Sequence, residues 1–232
     1  AGAMVEANPE MAGEIITGVA MSAPAAVEAV SNTLMEANPE GAADMAAVLA
    51  ETAPGAADDM IESMAVVWPE YVVDAASAMA EANPMAAEGT AGAIAEALPD
   101  LAADAAGAMA EANPDIAGEI AAGMADANPE MAGEIAGAMM EAAPEAAGAI
   151  AEGMAAGAPD QAADIAGAMM ESNPEMAGDI AGGMAAGDPG QAADIATAMV
   201  EANPEMAGDI AGGVAEMAPN AVADVAAELA II

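Results

Sequence analysis

The chain contains no lysine, arginine, histidine, cysteine or phenylalanine, and it has one tryptophan and one tyrosine in 232 residues. Each absence excludes something. Phosphate contacts rest on Lys and Arg, so nucleic acid is not an expected partner. An anionic membrane surface would repel a chain with forty acids and no base. Nucleophilic triads need His, Lys or Cys to activate or orient the nucleophile, and none is present. Only paired-carboxylate chemistry would remain, and the arrangement of the acids described below reads instead as a solvated helix face. The expectation is a protein that is not an enzyme. Without cysteine there is no disulfide framework, and redox compartment cannot be read. Acids interrupt every repeat, so no apolar run is long enough to span a bilayer and no membrane insertion is expected.

What is present is a period. Proline stands at residues 9, 24, 39, 54, 69, 84 and onward to 219, fifteen residues apart each time. A strict period marks a repeat architecture. No linker or change of composition interrupts it, so residues 1–232 are expected to form one continuous domain. Residues 1–8 (AGAMVEAN) match the second half of a repeat and are read as a partial N-terminal unit. High net charge with few aromatics often signals disorder, but the apolar content of 57 % and its periodicity argue for a packed fold.

Counted from its proline, the repeat reads P-E-M-A-G-D-I-A-G-A-M-A-E-A-N. Pro suits the first helical turn, where its missing N–H has no partner to lose. The residue before it is often Asn or Asp (Asn38, Asn83, Asn113, Asn128, Asn173, Asn203, Asp188), which predicts an N-cap. An acid after the proline suits the positive end of the helix dipole. The next proline restricts the residue before it and stops the helix. Position 7 carries Ile120, Ile135, Ile150 and their equivalents, and position 11 carries Met109, Met124, Met139, Met154 and theirs. With Ala or Val at position 4 and mostly Ala at 8, this is the stripe of an amphipathic helix. Acids at positions 2, 6 and 13 fall on the opposite side.

A helix this short is marginal alone, so stacking must supply its stability. The interior glycines, each costing about 1 kcal/mol against Ala, point to close helix–helix approach. A two-residue turn at each proline predicts antiparallel neighbours. A weaker thirty-residue period, clearest in the near-identical stretches from Pro159 and from Pro189, indicates a two-helix unit. The predicted fold is all-α: a two-layered α-solenoid rod of fifteen-residue helix–turn repeats, paired as thirty-residue αα-hairpins. It resembles two-helix solenoids in architecture only and carries none of their signature residues.

The methionines occupy the apolar stripe, which assigns them to core filling rather than to soft-metal binding. The acids offer at most weak, diffuse sites for Ca²⁺ or other cations, and no cofactor is expected. One stretch departs from the consensus: Val66 replaces the acid at position 13, and Trp68 and Tyr71, the chain's tryptophan and tyrosine, follow it, with Val72 and Val73 next. Val66, Trp68, Tyr71 and Val72 are therefore candidate interaction residues. The last helix ends in Leu229, Ile231 and Ile232, an apolar end suited to self-association, since solenoids that stay single carry polar caps. Nearly identical repeats and apolar ends predict a structural, self-assembling protein of the cell exterior, such as a fibre, sheath or surface-layer component. The first alternative is a solenoid module binding a peptide or protein at Trp68–Val73. The second is an acidic cation-binding protein.

Overall fold

In the computed structural model, which describes residues 11–229, the chain is a succession of helices with no strand among the described residues. The fifteen α-helices are α1 (Met11–Ser22), α2 (Val27–Ala37), α3 (Ala42–Thr52), α4 (Pro54–Val67), α5 (Val72–Ala82), α6 (Pro84–Ala97), α7 (Pro99–Ala112), α8 (Ala117–Ala127), α9 (Ala132–Ala142), α10 (Ala147–Gly157), α11 (Ala162–Ser172), α12 (Ala177–Gly187), α13 (Ala192–Ala202), α14 (Ala207–Met217) and α15 (Val222–Leu229). Most begin with a single 3-10 turn on the proline, as at Pro39–Gly41 and Pro129–Met131. The partial repeat expected over residues 1–8 lies outside the described residues.

The joint is tighter than the expected two-residue turn. One residue, at position 15, leaves the helical region, with φ between −128° and −154° and ψ between 56° and 93°. Its own N–H still donates to the carbonyl at position 11, as Asn38 N to Leu34 O at 2.8 Å. Its carbonyl then accepts from position 3 of the next unit, as Tyr71 N to Trp68 O at 3.1 Å. Asn, Ala, Trp, Leu and Asp all adopt this conformation, because the proline that follows excludes the helical region for whatever precedes it.

Every helix except α2 packs most extensively against a helix two units away and less against its chain neighbours. Odd-numbered helices form one layer and even-numbered helices the other, so thirty residues is the distance between successive members of a layer. The inter-repeat side-chain hydrogen bonds agree: Ser77 to Ala108, Asn83 to Ala50, Asn113 to Ala80 and Asn128 to Ala95 all span 31 to 33 residues. The α-solenoid is the fold of this chain.

The core follows the expected stripe and widens it. Positions 4, 7, 8 and 11 are buried through the middle of the stack, with Met124, Met154 and Ile150 fully inaccessible. Position 12 joins them, as Met35, Ala50, Ala80, Met140 and Val200. An interior helix touches two same-layer neighbours as well as its chain neighbours, and the wider apolar arc covers that additional contact.

The asparagines correct the capping expectation. Asn38, Asn113, Asn128, Asn173 and Asn203 make no side-chain bond to the helix they precede. In Asn113 and Asn128 the amide instead donates at 3.1 Å to the position-12 carbonyl of the same-layer helix two units back. That carbonyl lies in a last helical turn and has no intrahelical partner. Asn83 does both, accepting from Met85 N at 3.2 Å and donating to Ala50 O at 2.6 Å. Asp188 caps as expected, accepting from Gly190 N and Gln191 N.

The glycines divide the layers. No described glycine has positive φ, so backbone freedom does not account for them. In the even layer, a Cβ on Gly153, Gly183 or Gly213, all at position 10, would overlap the carbonyl oxygen of Gly118, Gly148 or Gly178 on the preceding even helix. A Cβ on Gly157 would lie 2.5 Å from Ala122 O. Backbones this close admit Cα–H···O contacts and no side chain. In the odd layer a Cβ on Gly107 would sit 3.4 Å from Ala138 O, and one on Gly167 would meet nothing within 4 Å. The even layer is thus the tighter one from α8 onward.

Candidate interaction surfaces

The irregular stretch at Trp68 is split by the fold. Val66 and Val67, in the last turn of α4, are 84 % and 58 % exposed. Trp68 forms the one-residue joint, and Tyr71 ends the 3-10 turn that follows; both are half-buried against the core. Val72 is the correction. It occupies position 4 of α5 and is fully buried, taking the place that Ala holds in most other repeats. It packs the interior and offers nothing to a partner. The surface that remains is Val66, Val67 and the outer part of Trp68 and Tyr71. Asp59, Glu62 and Ser63 line a shallow depression beside Val66. Of the C-terminal candidates, Leu229 is the last residue of α15, and Ile231 and Ile232 lie outside the described residues.

A second feature was not foreseen. The acids of the even layer overhang its glycine seam. Glu88, Asp115, Glu119 and Glu152 line a shallow groove floored by Gly118 and Gly153. Glu152 also borders the next groove, with Glu175, Asp179 and Asp209 over Gly178 and Gly183. Among the described residues, no three carboxylates converge as a single metal ion would require.

The third feature is one polar pair inside the even layer. Thr90 holds position 7, which is usually Ile or Met, and is fully buried. Its hydroxyl donates to Asp58 Oδ1 at 2.6 Å, joining α6 to α4. Burial raises the Asp58 carboxyl above its ordinary value; the Thr90 hydrogen bond opposes that rise, and repulsion from Asp59 adds to it. Thr90 Oγ1 also lies 3.1 Å from Ala86 O. With Asp58 protonated, both acceptors are satisfied: the acid donates to Thr90, and Thr90 donates to Ala86. The signal in the sequence was a polar residue at a core position, but its partner stands 32 residues away.

These surfaces belong to an α-solenoid, and the depressions described on it are open to solvent. Comparison with models of known protein families, with curated protein sequences and with solved structures returned no match. No described helix is long and apolar enough to cross a membrane.

Proposed function

We propose that the chain is a structural, self-associating α-solenoid of the cell exterior, a component of a fibre, sheath or surface layer. One observation carries the reading. The same positions, 4, 7, 8 and 11, are buried in repeat after repeat through the middle of the stack, and same-layer helices meet through one recurring interface. A stack built from one recurring interface, with a uniform exterior, suits a structural, self-associating role. The uniform acidic exterior is compatible with self-association where salt or divalent cations screen it. Electron microscopy of native material, with sedimentation at low and high salt, tests this. Ordered assemblies or salt-dependent oligomers are expected, and a single species at every concentration and ionic strength refutes the reading.

The exposure of Val66 and Val67 favours a second reading, a binding module that takes an apolar segment of another protein beside Trp68. Saturable quenching of the single tryptophan by a captured partner, lost in Val66→Glu, would support it.

A further inference from the structure

Two successive joints on one edge of the stack are apolar. Trp68 and Tyr71 hold positions 15 and 3 around the first, and Leu98 and Leu101 hold the same positions around the second. All four are half-buried, and α5 and α7, which follow these joints, pack on each other. Val66 and Val67, in the last turn of α4, extend the strip and are exposed. The next joints along this edge carry Asn38 on one side and Asn128 on the other, so the strip is bounded. Acids surround it. Glu36 on α2 and Glu96 on α6 stand at the position of Val66 in the flanking even helices, and both are exposed. Asp59 and Glu62 lie on the same face of α4 as Val66 and line the depression beside it.

We propose that this edge binds a basic, amphipathic segment of another protein, which sets apolar side chains on Val66, Val67 and Trp68 and Lys or Arg side chains on the acids around them. The inference rests on the binding-module reading just given and names the chemistry of its partner. An exposed apolar strip with a polar rim marks a contact surface, and charge decides what covers this one. The sequence holds no Lys, Arg or His, so the counter-charge for Asp59, Glu62 and Glu96 comes from outside it. A neutral apolar segment would draw those carboxylates out of water and offer them no partner. A basic segment pairs with them, and that complementarity also steers it to the edge. Trp and Tyr rings attract a cation on their faces as well. A second copy of this chain is a poor occupant, because it brings forty acids and no base to an edge already ringed by acids.

The test is titration of the full chain at low salt with short synthetic peptides of Leu and Lys, patterned for helix and for strand, followed by Trp68 emission and by calorimetry. Saturable binding is expected, weakened by about 1 M salt, where the screening length falls to about 3 Å. Val66→Glu separates docking from general attraction to an acidic protein. Val66 is exposed and an acid holds its position in most repeats, so this variant keeps the fold. It adds a negative charge, which strengthens any unspecific attraction, but it removes the apolar anchor. Binding should weaken on the order of tenfold or more, and Glu62→Gln should weaken it less, in the same direction. Affinity unchanged or raised in Val66→Glu overturns the site. A peptide with Gln in place of every Lys that binds as tightly overturns the basic partner and leaves the binding module standing. If neither the Lys nor the Gln peptides bind, both fall.

Discussion

Adding one methyl group at Gly183 and one at Gly167 should move stability in opposite directions. Both glycines lie inside helices, α12 and α11, and in each a change to Ala gains about 1 kcal/mol of helix propensity. At Gly167 nothing lies within 4 Å of the new Cβ, so most of that gain survives. At Gly183 the Cβ would overlap the Gly148 carbonyl oxygen and stand 2.9 Å from Ala151 Cβ. Neither obstacle is a flexible side-chain end, so α12 must draw away from α10. Overpacking costs about 1–3 kcal/mol, and against unyielding backbone the upper part of that range, about 2–3 kcal/mol, applies, leaving a net loss of about 1–2 kcal/mol. The two variants then differ by about 2–3 kcal/mol. At about 2–4 °C per kcal/mol for a chain of this size, their melting temperatures separate by roughly 4–12 °C, with the wild type between them. Thermal and urea unfolding followed by far-ultraviolet circular dichroism measures this. A Gly183→Ala protein at least as stable as the wild type would refute the close seating of the even layer.

Met124→Asp places a charge at a fully buried site and should cost several kcal/mol, whereas Asp179→Asn, on an exposed face, should shift the melt little; equal shifts would contradict the faces assigned to the helix. Asn113→Ala removes the donor to Ala80 O and should cost about 1 kcal/mol. Asn173→Ala, with no capping bond to lose, should cost distinctly less, as urea midpoints will show. Asp58, with its folded pKa raised mainly by burial, contributes stability that is fully present below its unfolded pKa and is lost as pH rises through the folded one; in Asp58→Asn that part of the pH dependence should vanish. Forty carboxylates with no Lys, Arg or His should make the whole rod more stable near pH 3 than near pH 8 in low salt, with salt restoring stability at the higher pH. A lower melting temperature at the acid end would count against this.

The irregular patch shows how far a sequence reading reaches. Val66 stood out because an acid was missing from position 13, and it is indeed on the surface. Val72 was grouped with it by adjacency, although position 4 belongs to the apolar stripe, and the helix turns it inward. Thr90 was visible as a polar residue at a core position. Its pairing with Asp58 was not, because nothing local joins residues 32 apart.

The helices themselves needed no tertiary information. Proline every fifteen residues and an apolar stripe of helical period are local facts, and backbone sterics convert them into helix, one-residue joint and helix again. The stacking was implied as well, since helices this short hold only when their apolar faces are covered. What the tertiary structure decided is which neighbour covers which face. The sequence marks Gly153, Gly183 and Gly213 as costly in a helix, but only the arrangement of same-layer helices puts a carbonyl where each Cβ would be. It also turns asparagines expected to cap their own helices toward the ends of helices two units back. Both outcomes depend on contacts between residues about thirty apart, where local propensity carries no information and the separation of two backbones determines which side chains fit.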